Sequence, residues 1–529
     1  MPVESDFAFA ADIERKLRSI LFPTKRPRAP ERGVIGIVYR STGSRRSTLL
    51  LSELIYAEPG DVDWKSDVGL LFSKNYKSRA VSIASTRKRA GLIFIHTHRA
   101  RLDGLPPEPS DEDYAADQRD LYFLGQDLSD GAPLVAGIVD DNFNWTVREY
   151  EFTCPMTVAD ARSRGPKYRL KNMRFCEGIR IWSNQLTLKD TNRSRRDRHR
   201  ISQSTIHMTD SSIHMWGEEG QELLRRIRLG IVGLGGVGSI LAEHAARLGV
   251  RDLVLVDFDR LSKDNFNRSQ GATRLDFLLR RHKVKVAARL ARKSAVNKDI
   301  QIIEIIGSVV EKDTIRHLLD CDLILNASDS PWGLQVLDQL AHAHIVPVIT
   351  GGTIIKGKKQ TGTLMSGKCE VTLSNPGVLC LECAGSYNRS GVTEAMEAPN
   401  VRGPRRYLDV PDDPGAVDTE LERAPSVIAT NGLVASLMLL RLQALIVGTT
   451  TDAINGIQRY HLLEGSLYWA VKTQCDVTCA RKETVGLGDA YALPTGIDQD
   501  YKYARKAEPK NIVMRCFQFL GDFVAELRA

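Results

Sequence analysis

Two histidines close an apolar run, Gly91-Leu-Ile-Phe-Ile-His96-Thr-His98. In a strand alternate side chains share a face, so both imidazoles point the same way, near enough to share one ion. Downstream, Ser110-Asp-Glu-Asp113 supplies a carboxylate. Two imidazoles and one carboxylate leave zinc's fourth position to water, the catalytic rather than the structural arrangement. Glu31, ahead of the run GVIGIVYR, is the candidate to take a proton from that water, and Ser110 the candidate to donate to a developing oxyanion. The bland account of Ser110-x-x-Asp113 is a capping box before the helix DYAADQRDLYFL. A cap leaves His96 and His98 without a task. Glu53 also lies upstream, but it reads as part of a strand with a structural role.

A second constellation begins at Gly233-Leu-Gly235-Gly236-Val-Gly238, which follows an apolar strand and opens a helix. Glycines there permit a tight turn and close approach of backbone N–H groups to phosphate. Asp257 closes the next strand, where a carboxylate meets ribose hydroxyls. To that point an NAD or FAD site fits equally well. Arg268, Lys285 and Asp329 then follow. A dinucleotide site has no need of them, whereas in an ATP site two cations neutralise a triphosphate and Asp329 holds Mg²⁺ beside the α-phosphate.

The third set is Cys380-Leu-Glu-Cys383 with Cys475-Asp-Val-Thr-Cys479, four thiolates in two short hooks suited to tetrahedral Zn²⁺. Free buried thiols are the alternative. Nine cysteines in a cytosolic chain are expected as thiols or metal ligands, because disulfides do not persist there.

Families that carry these patterns are known. GLGGVG, DFDRLSKDNFNR, Lys285 with Asn297 twelve positions later, NASDS and GEEGQELL together resemble the adenylation domain of the ThiF/MoeB/E1 superfamily over roughly 216–480. The resemblance implies that Mg·ATP adenylates the C-terminal carboxylate of a ubiquitin-like or sulfur-carrier protein, releasing pyrophosphate. It assigns Asp257 to ribose, Asn265, Arg268 and Lys285 to the phosphates, and Asp329 to the metal and reaction centre. The family's Gln after the Arg is Ser269 here. An Arg donated across a homodimer is also implied, with Arg198 and Arg200 as candidates upstream of its usual place. The zinc knuckle would clamp the sheet edge without entering the chemistry. Thioester-forming relatives keep a nucleophilic Cys after the first hook, yet 384–474 holds none. Transfer of the acyl-adenylate to another protein's nucleophile is therefore favoured over an oxyester on Ser426 or Thr430, with Cys369, in a strand, third.

The set Glu31, His96, His98, Ser110 and Asp113 resembles the JAMM (JAB/MPN) metalloprotease motif over 1–155, whose members hydrolyse isopeptide or C-terminal peptide bonds of ubiquitin-like proteins. Eleven residues separate His98 from Ser110, more than that family's usual gap, and Arg99 stands where a Pro is common. The added loop RARLDGLPPEP is expected to shape substrate entry.

The elements that must position these groups divide the chain. Residues 1–155 hold short β-type runs and two helical stretches, an α+β pattern. Residues 156–215 are polar and basic and read as a linker or adaptor. From there strands and helices alternate through 216–480, which describes a doubly wound, Rossmann-like parallel sheet. The stretch 384–425 reads as a mobile loop, and 481–529 as a tail ending in an amphipathic segment. With 529 residues and 42% apolar content each domain can bury a core. No uninterrupted apolar run approaches the ~18–20 residues that span a bilayer, and no secretory signal is visible, so the expected compartment is the cytoplasm. The net charge of +8 is local and comes with no nucleic-acid module, so no specific nucleic-acid partner is expected.

Together the resemblances predict a bifunctional enzyme using ATP, Mg²⁺ and two Zn²⁺, one catalytic and one structural. Its N-terminal domain would mature or release the modifier that its C-terminal domain activates, as a homodimer, with an E2-like acceptor if the system conjugates; an antiphage role is suggested by family habit only. The rivals are sulfur-carrier activation for cofactor or cysteine biosynthesis, an NAD- or FAD-dependent oxidoreductase with an accessory metal domain, and a non-catalytic ATP-binding sensor.

Overall fold

The computed structural model describes residues 4–23, 31–66, 69–152, 170–182, 185–191, 200–357, 364–397, 427–448, 456–469 and 474–506. The chain divides into two compact units. The first is Met1–Arg200 with the short returns Ala343–Ile345 and Lys482–Ala492, and the second is the remainder.

The first unit is built on β1 (Glu4–Ala10), β2 (Gly33–Thr42), β3 (Arg46–Ile55), β4 (Val62–Ser66), β5 (Gly69–Phe72), β6 (Gly91–Thr97), β7 (Leu134–Val139), β8 (Trp145–Phe152), β9 (Leu170–Phe175), β10 (Gly178–Trp182) and β11 (Leu186–Asp190). Nine of them form one mixed sheet in the order β11-β10-β1-β3-β2-β6-β7-β8-β9, while β4 and β5 pair as a separate hairpin. Alternation sorts the side chains. Val34, Val38, Ile93 and Ile95 turn to the face covered by α1 (Ala11–Leu21). Ile35, Ile37, Leu92 and Phe94 turn to the other, with Tyr76 of α2 (Lys74–Ser85) and Leu121 of α3 (Asp111–Gly125). His96 continues the second set, so the strand's own period carries it toward α3.

Three strands fall inside the stretch expected to be a linker. β9 pairs with β8 and β10 with β1, so the boundary lies near residue 200 rather than 155. The polar sequence misled because β9 is an edge strand, half exposed and under no demand for apolar residues. The tail is likewise divided, since 482–492 returns to the first unit.

The second unit opens with α4 (Gln203–Met208) and α5 (Asp210–Arg226). Its strands are β12 (Arg228–Val232), β13 (Asp252–Val256), β14 (Gln301–Ile305), β15 (Leu323–Asn326), β16 (Val348–Gly357), β17 (Leu364–Ser374), β18 (Ile457–His461) and β19 (Ser466–Trp469). Their order is β14-β13-β12-β15-β16-β17-β18-β19. The first five run parallel and the last three add antiparallel. The helices are α6 (Gly236–Arg247), α7 (Arg274–Leu278), α8 (Lys283–Ser294), α9 (Lys312–Leu318), α10 (Pro331–Ala343), α11 (Arg389–Met396) and α12 (Ile428–Val447). The strand order reverses at β12: the chain winds outward to β14, then returns to β15 on the other side. Ligands of open parallel sheets sit beyond the carboxyl ends of strands at such a switch point.

α12 alone among the described residues is long and apolar enough to cross a membrane, with mean hydropathy 1.5, although Thr, Asn and Arg interrupt its sequence. It is a core helix. It packs against α6, β16 and β17, and its Arg441 is buried, donating to the carbonyls of Val371 and Gly456. α11 lies within the expected loop 384–425, of which 398–425 falls outside the described residues.

Candidate functional site

In the first unit, β6 delivers His96 and His98 side by side, with their Nε2 atoms 3.2 Å apart. The strand is held past its end by the His98 amide, which donates to the Val139 carbonyl. Asp113, in the first turn of α3, places Oδ1 3.1 Å from His96 Nε2 and Oδ2 3.4 Å from His98 Nε2. The capping box is formed as well: Ser110 N and Oγ donate to Asp113 Oδ2, and Asp113 N donates to Ser110 Oγ at 3.1 Å. Capping and ligation are thus compatible, because one carboxylate oxygen serves the helix while the other faces His96. Glu31 joins through the backbone. Arg32 and Thr97 exchange hydrogen bonds, Arg32 N to Thr97 Oγ1 and Thr97 N to Arg32 O, and this sets Glu31 Oε1 3.9 Å from His98 Nε2. Glu53 is paired with Arg87 instead.

Charge in this cluster suits a cation. Burial would raise the Asp113 carboxyl, but His96 and the Ser110 donors outweigh it and hold it well below the usual carboxylate range. Burial, then His96, push the His98 imidazole down, toward its neutral form. Ligation calls for such states, a carboxylate at Asp113 and a free imidazole at His98. Burial raises the Glu31 carboxyl against the pull of His96, the direction that makes it a better proton acceptor. One turn beyond Asp113, Asp117 is buried and takes hydrogen bonds from Arg148 at 2.7 Å and from Tyr150 at 3.1 Å. Sequence reasoning missed that support, since no spacing links 117 to 148.

In the second unit the glycine turn, Asp257 and Asp329 all lie at the carboxyl ends of β12, β13 and β15. Gly233 has φ of +81°, and a Cβ there would meet Ser328 N at 2.8 Å. At Gly238 a Cβ would fall 1.8 Å from the Gly233 carbonyl oxygen, so the turn closes only on glycine. Asp257 Oδ2 accepts from Leu234 N at 2.6 Å and Oδ1 from Asp259 N at 2.7 Å. Burial pushes the Asp257 carboxyl up to about 6, against the pull of Lys283. Arg268 leans over the turn, its Cδ 3.5 Å from where a Cβ of Gly236 would lie.

The structure does not bring Lys285 into this group. Its ammonium sits 2.6 Å from Glu304 on β14, a carboxylate shared with Arg292. Lys283 takes the place, with Nζ 2.8 Å from Asp259 and the charges of Asp257, Asp259 and Asp329 holding its ammonium raised despite burial. Residues two apart on a helix differ by about 200° around its axis, so only one of this pair can face the cleft. Asn265 is engaged locally, its side chain closing a capping box with Ser262 at the 3₁₀ turn Lys263–Arg268. Asn297 is a buried staple that donates to the Gly249 carbonyl and accepts from Arg225. Arg200 is exposed, and Arg198 lies outside the described residues, as does Ser426. Thr430 donates to the Val427 carbonyl of its own helix, and Cys369 is buried in β17 with its thiol pushed up to about 11.

Cys380, Cys383, Cys475 and Cys479 converge, with all four sulfurs within 4.8 Å of one another. Cys380 N donates to Cys475 Sγ at 3.1 Å and Cys383 N to Cys380 Sγ at 3.3 Å, bonds that stabilise thiolate charge. The donor set is that of a closed zinc knuckle. Its hooks are tied to α10 by a buried network: Arg481 donates to Asp338 and Glu382, and Tyr387 and the Leu381 amide donate to Asp338.

A family model described as ThiF family matches residues 209–479. A molybdopterin-synthase adenylyltransferase of Haemophilus influenzae is 32% identical over 180 residues, 34% of this chain and 69% of that relative. A SAMP-activating enzyme E1 of Haloferax volcanii is 29% identical over 155 residues, 29% of this chain and 55% of that relative. A sulfur carrier protein ThiS adenylyltransferase of Bacillus subtilis is 25% identical over 138 residues, 26% of this chain and 40% of that relative. The family match leaves Met1–Arg200 outside it.

Proposed function

The chain belongs to the ThiF family, and from that premise we propose that its second unit adenylates the C-terminal carboxylate of a small ubiquitin-like or sulfur-carrier protein with ATP. The observation that carries this reading is the meeting of Asp257, Lys283, Asp329 and the glycine turn at one switch point. Asp257 accepts from the ribose hydroxyls. Lys283 and Arg268 neutralise the triphosphate, and Asp329 would hold Mg²⁺, which offsets charge on the leaving group. The carrier's carboxylate oxygen attacks the α-phosphorus, the bond to the bridging oxygen breaks, and pyrophosphate departs. Because 384–474 lacks cysteine, the acyl-adenylate passes to a nucleophile on another protein. Exchange of labelled pyrophosphate into ATP, dependent on a small carrier protein, tests the reading. Lys283→Ala is expected to lower exchange by about 100-fold or more, and Lys285→Ala by only a few fold. A Lys283→Ala enzyme exchanging at the wild-type rate would refute the assignment.

For the first unit we propose a zinc-dependent peptidase of the JAMM kind that trims the modifier's C-terminus or releases it from conjugates. His96, His98 and Asp113 would hold the ion, which would supply an acidified water and a Lewis acid for the scissile carbonyl. Glu31 takes the water's proton and returns it to the leaving amine, and Ser110 donates to the carbonyl oxygen as it gains charge. The support is the 4.8 Å convergence of the three ligands with Glu31 beside them. Glu31→Gln is expected to abolish cleavage of a modifier fusion while zinc content stays intact. Loss of zinc in that variant would remove Glu31 from the role of base.

A further inference from the structure

α12 is apolar almost throughout its buried face, with Val434, Ala435, Met438 and Leu442 in the core. Asn431, in its first turn and on that face, is 2% exposed. A buried amide is costly unless its polar atoms are engaged, and this one sits against the glycine turn. A Cβ at Gly236 would lie 2.1 Å from Asn431 Nδ2 and 2.9 Å from its Cγ, so the amide rests directly on the backbone where the glycine turn becomes α6. Arg268 Cδ approaches the same point at 3.5 Å. A side chain at Gly236 would therefore have to displace the Asn431 amide, and that amide and the Arg268 stem both lie over the first turn of the helix that would face phosphate.

We infer that Asn431 is a further positioning residue of the nucleotide site, acting on the polyphosphate end of a nucleoside triphosphate through Gly236 and Arg268. The inference rests on the ATP reading of the cleft and adds to it a residue from the far side of the chain, beyond every glycine-loop motif. A neutral amide is the fitting group. It keeps a dipole against the turn, where a carboxylate would repel the phosphates and an aliphatic side chain would offer nothing to the backbone.

Calorimetric titration of the full chain with MgATP and separately with AMP tests this. Asn431→Asp, nearly isosteric, is expected to weaken ATP binding tenfold or more and AMP binding less than threefold. Its melting temperature should stay near that of the wild type. A merely structural residue would loosen the cleft and weaken both nucleotides alike, and that result would overturn the inference, as would unchanged binding of both. If Asn431→Asp fails to fold, Asn431→Ser decides by the same ratio of ATP loss to AMP loss. A wild-type chain that binds neither nucleotide would overturn the ATP reading itself, whereas wild-type binding with no ATP-selective loss would overturn only the role of Asn431.

Discussion

The ribose role proposed for Asp257 asks it to be a carboxylate in a place that disfavours one. Burial lifts it to about 6 even though the Lys283 ammonium stands nearby and the amides of Leu234 and Asp259 donate to it. Ribose hydroxyls donate to the charged form and lose that acceptor when it is protonated, so ATP binding should weaken as pH falls through the raised value. The sign is fixed: affinity is full above about 6 and declines below it. We expect the ATP affinity of the wild type relative to Asp257→Asn to fall several-fold between pH 7.5 and 5.5. Taking the ratio cancels protonation of ATP itself, and a ratio that stays flat over this range would remove Asp257 from ribose recognition. The same scale separates Lys283 from Lys285. Two lysines so close in sequence are interchangeable to spacing, and only the start of α8 at Lys283, whose amide donates to the Asp259 carbonyl, decides which one turns inward.

What could be read from the sequence divides along the elements. The pair His96 and His98 was legible because a strand's period of two is rigid and its apolar run was unbroken. The cap at Ser110 and the glycine turn were legible because both are local, each closing within a few residues of itself. The parallel core β12 to β16 showed as apolar strands alternating with helices. Less visible was whatever depends on a partner far along the chain. β9 and β11 looked like linker because edge strands carry few apolar residues, while β10, buried between β1 and β11, is a run of only five residues whose place is set by that pairing. Asp117 and Arg148 look like surface residues until the fold buries both. Asn431 belongs to no motif near it in sequence, and only the packing of α12 on α6 brings it to Gly236. The 20-residue length of α12 was hidden by its own Thr, Asn and Arg, which interrupt the apolar run without interrupting the helix.

At the scale of the whole chain, the two proposed zinc sites differ in kind, and their removal should differ in consequence. The cysteine set is closed by four protein ligands and tied by Arg481 and Asp338 into α10, the helix that follows Asp329. Without a divalent cation, burial and the neighbouring thiols push Cys383 up to about 12. Ligation reverses that and returns its free energy to folding. The histidine set has three protein ligands on elements already held by the sheet, by the Asp117 and Arg148 pair and by the cap. Its ion is expected to contribute chemistry and little stability. Metal analysis should therefore find two zinc per chain. Cys380→Ser is expected to lose one and lower the melting transition of the second unit by roughly 10 °C. His96→Ala is expected to lose the other, abolish cleavage of a modifier fusion and leave melting nearly unchanged. If Cys380→Ser kept both ions, or His96→Ala unfolded the first unit as Cys380→Ser unfolds the second, the division into one structural and one catalytic site would fail.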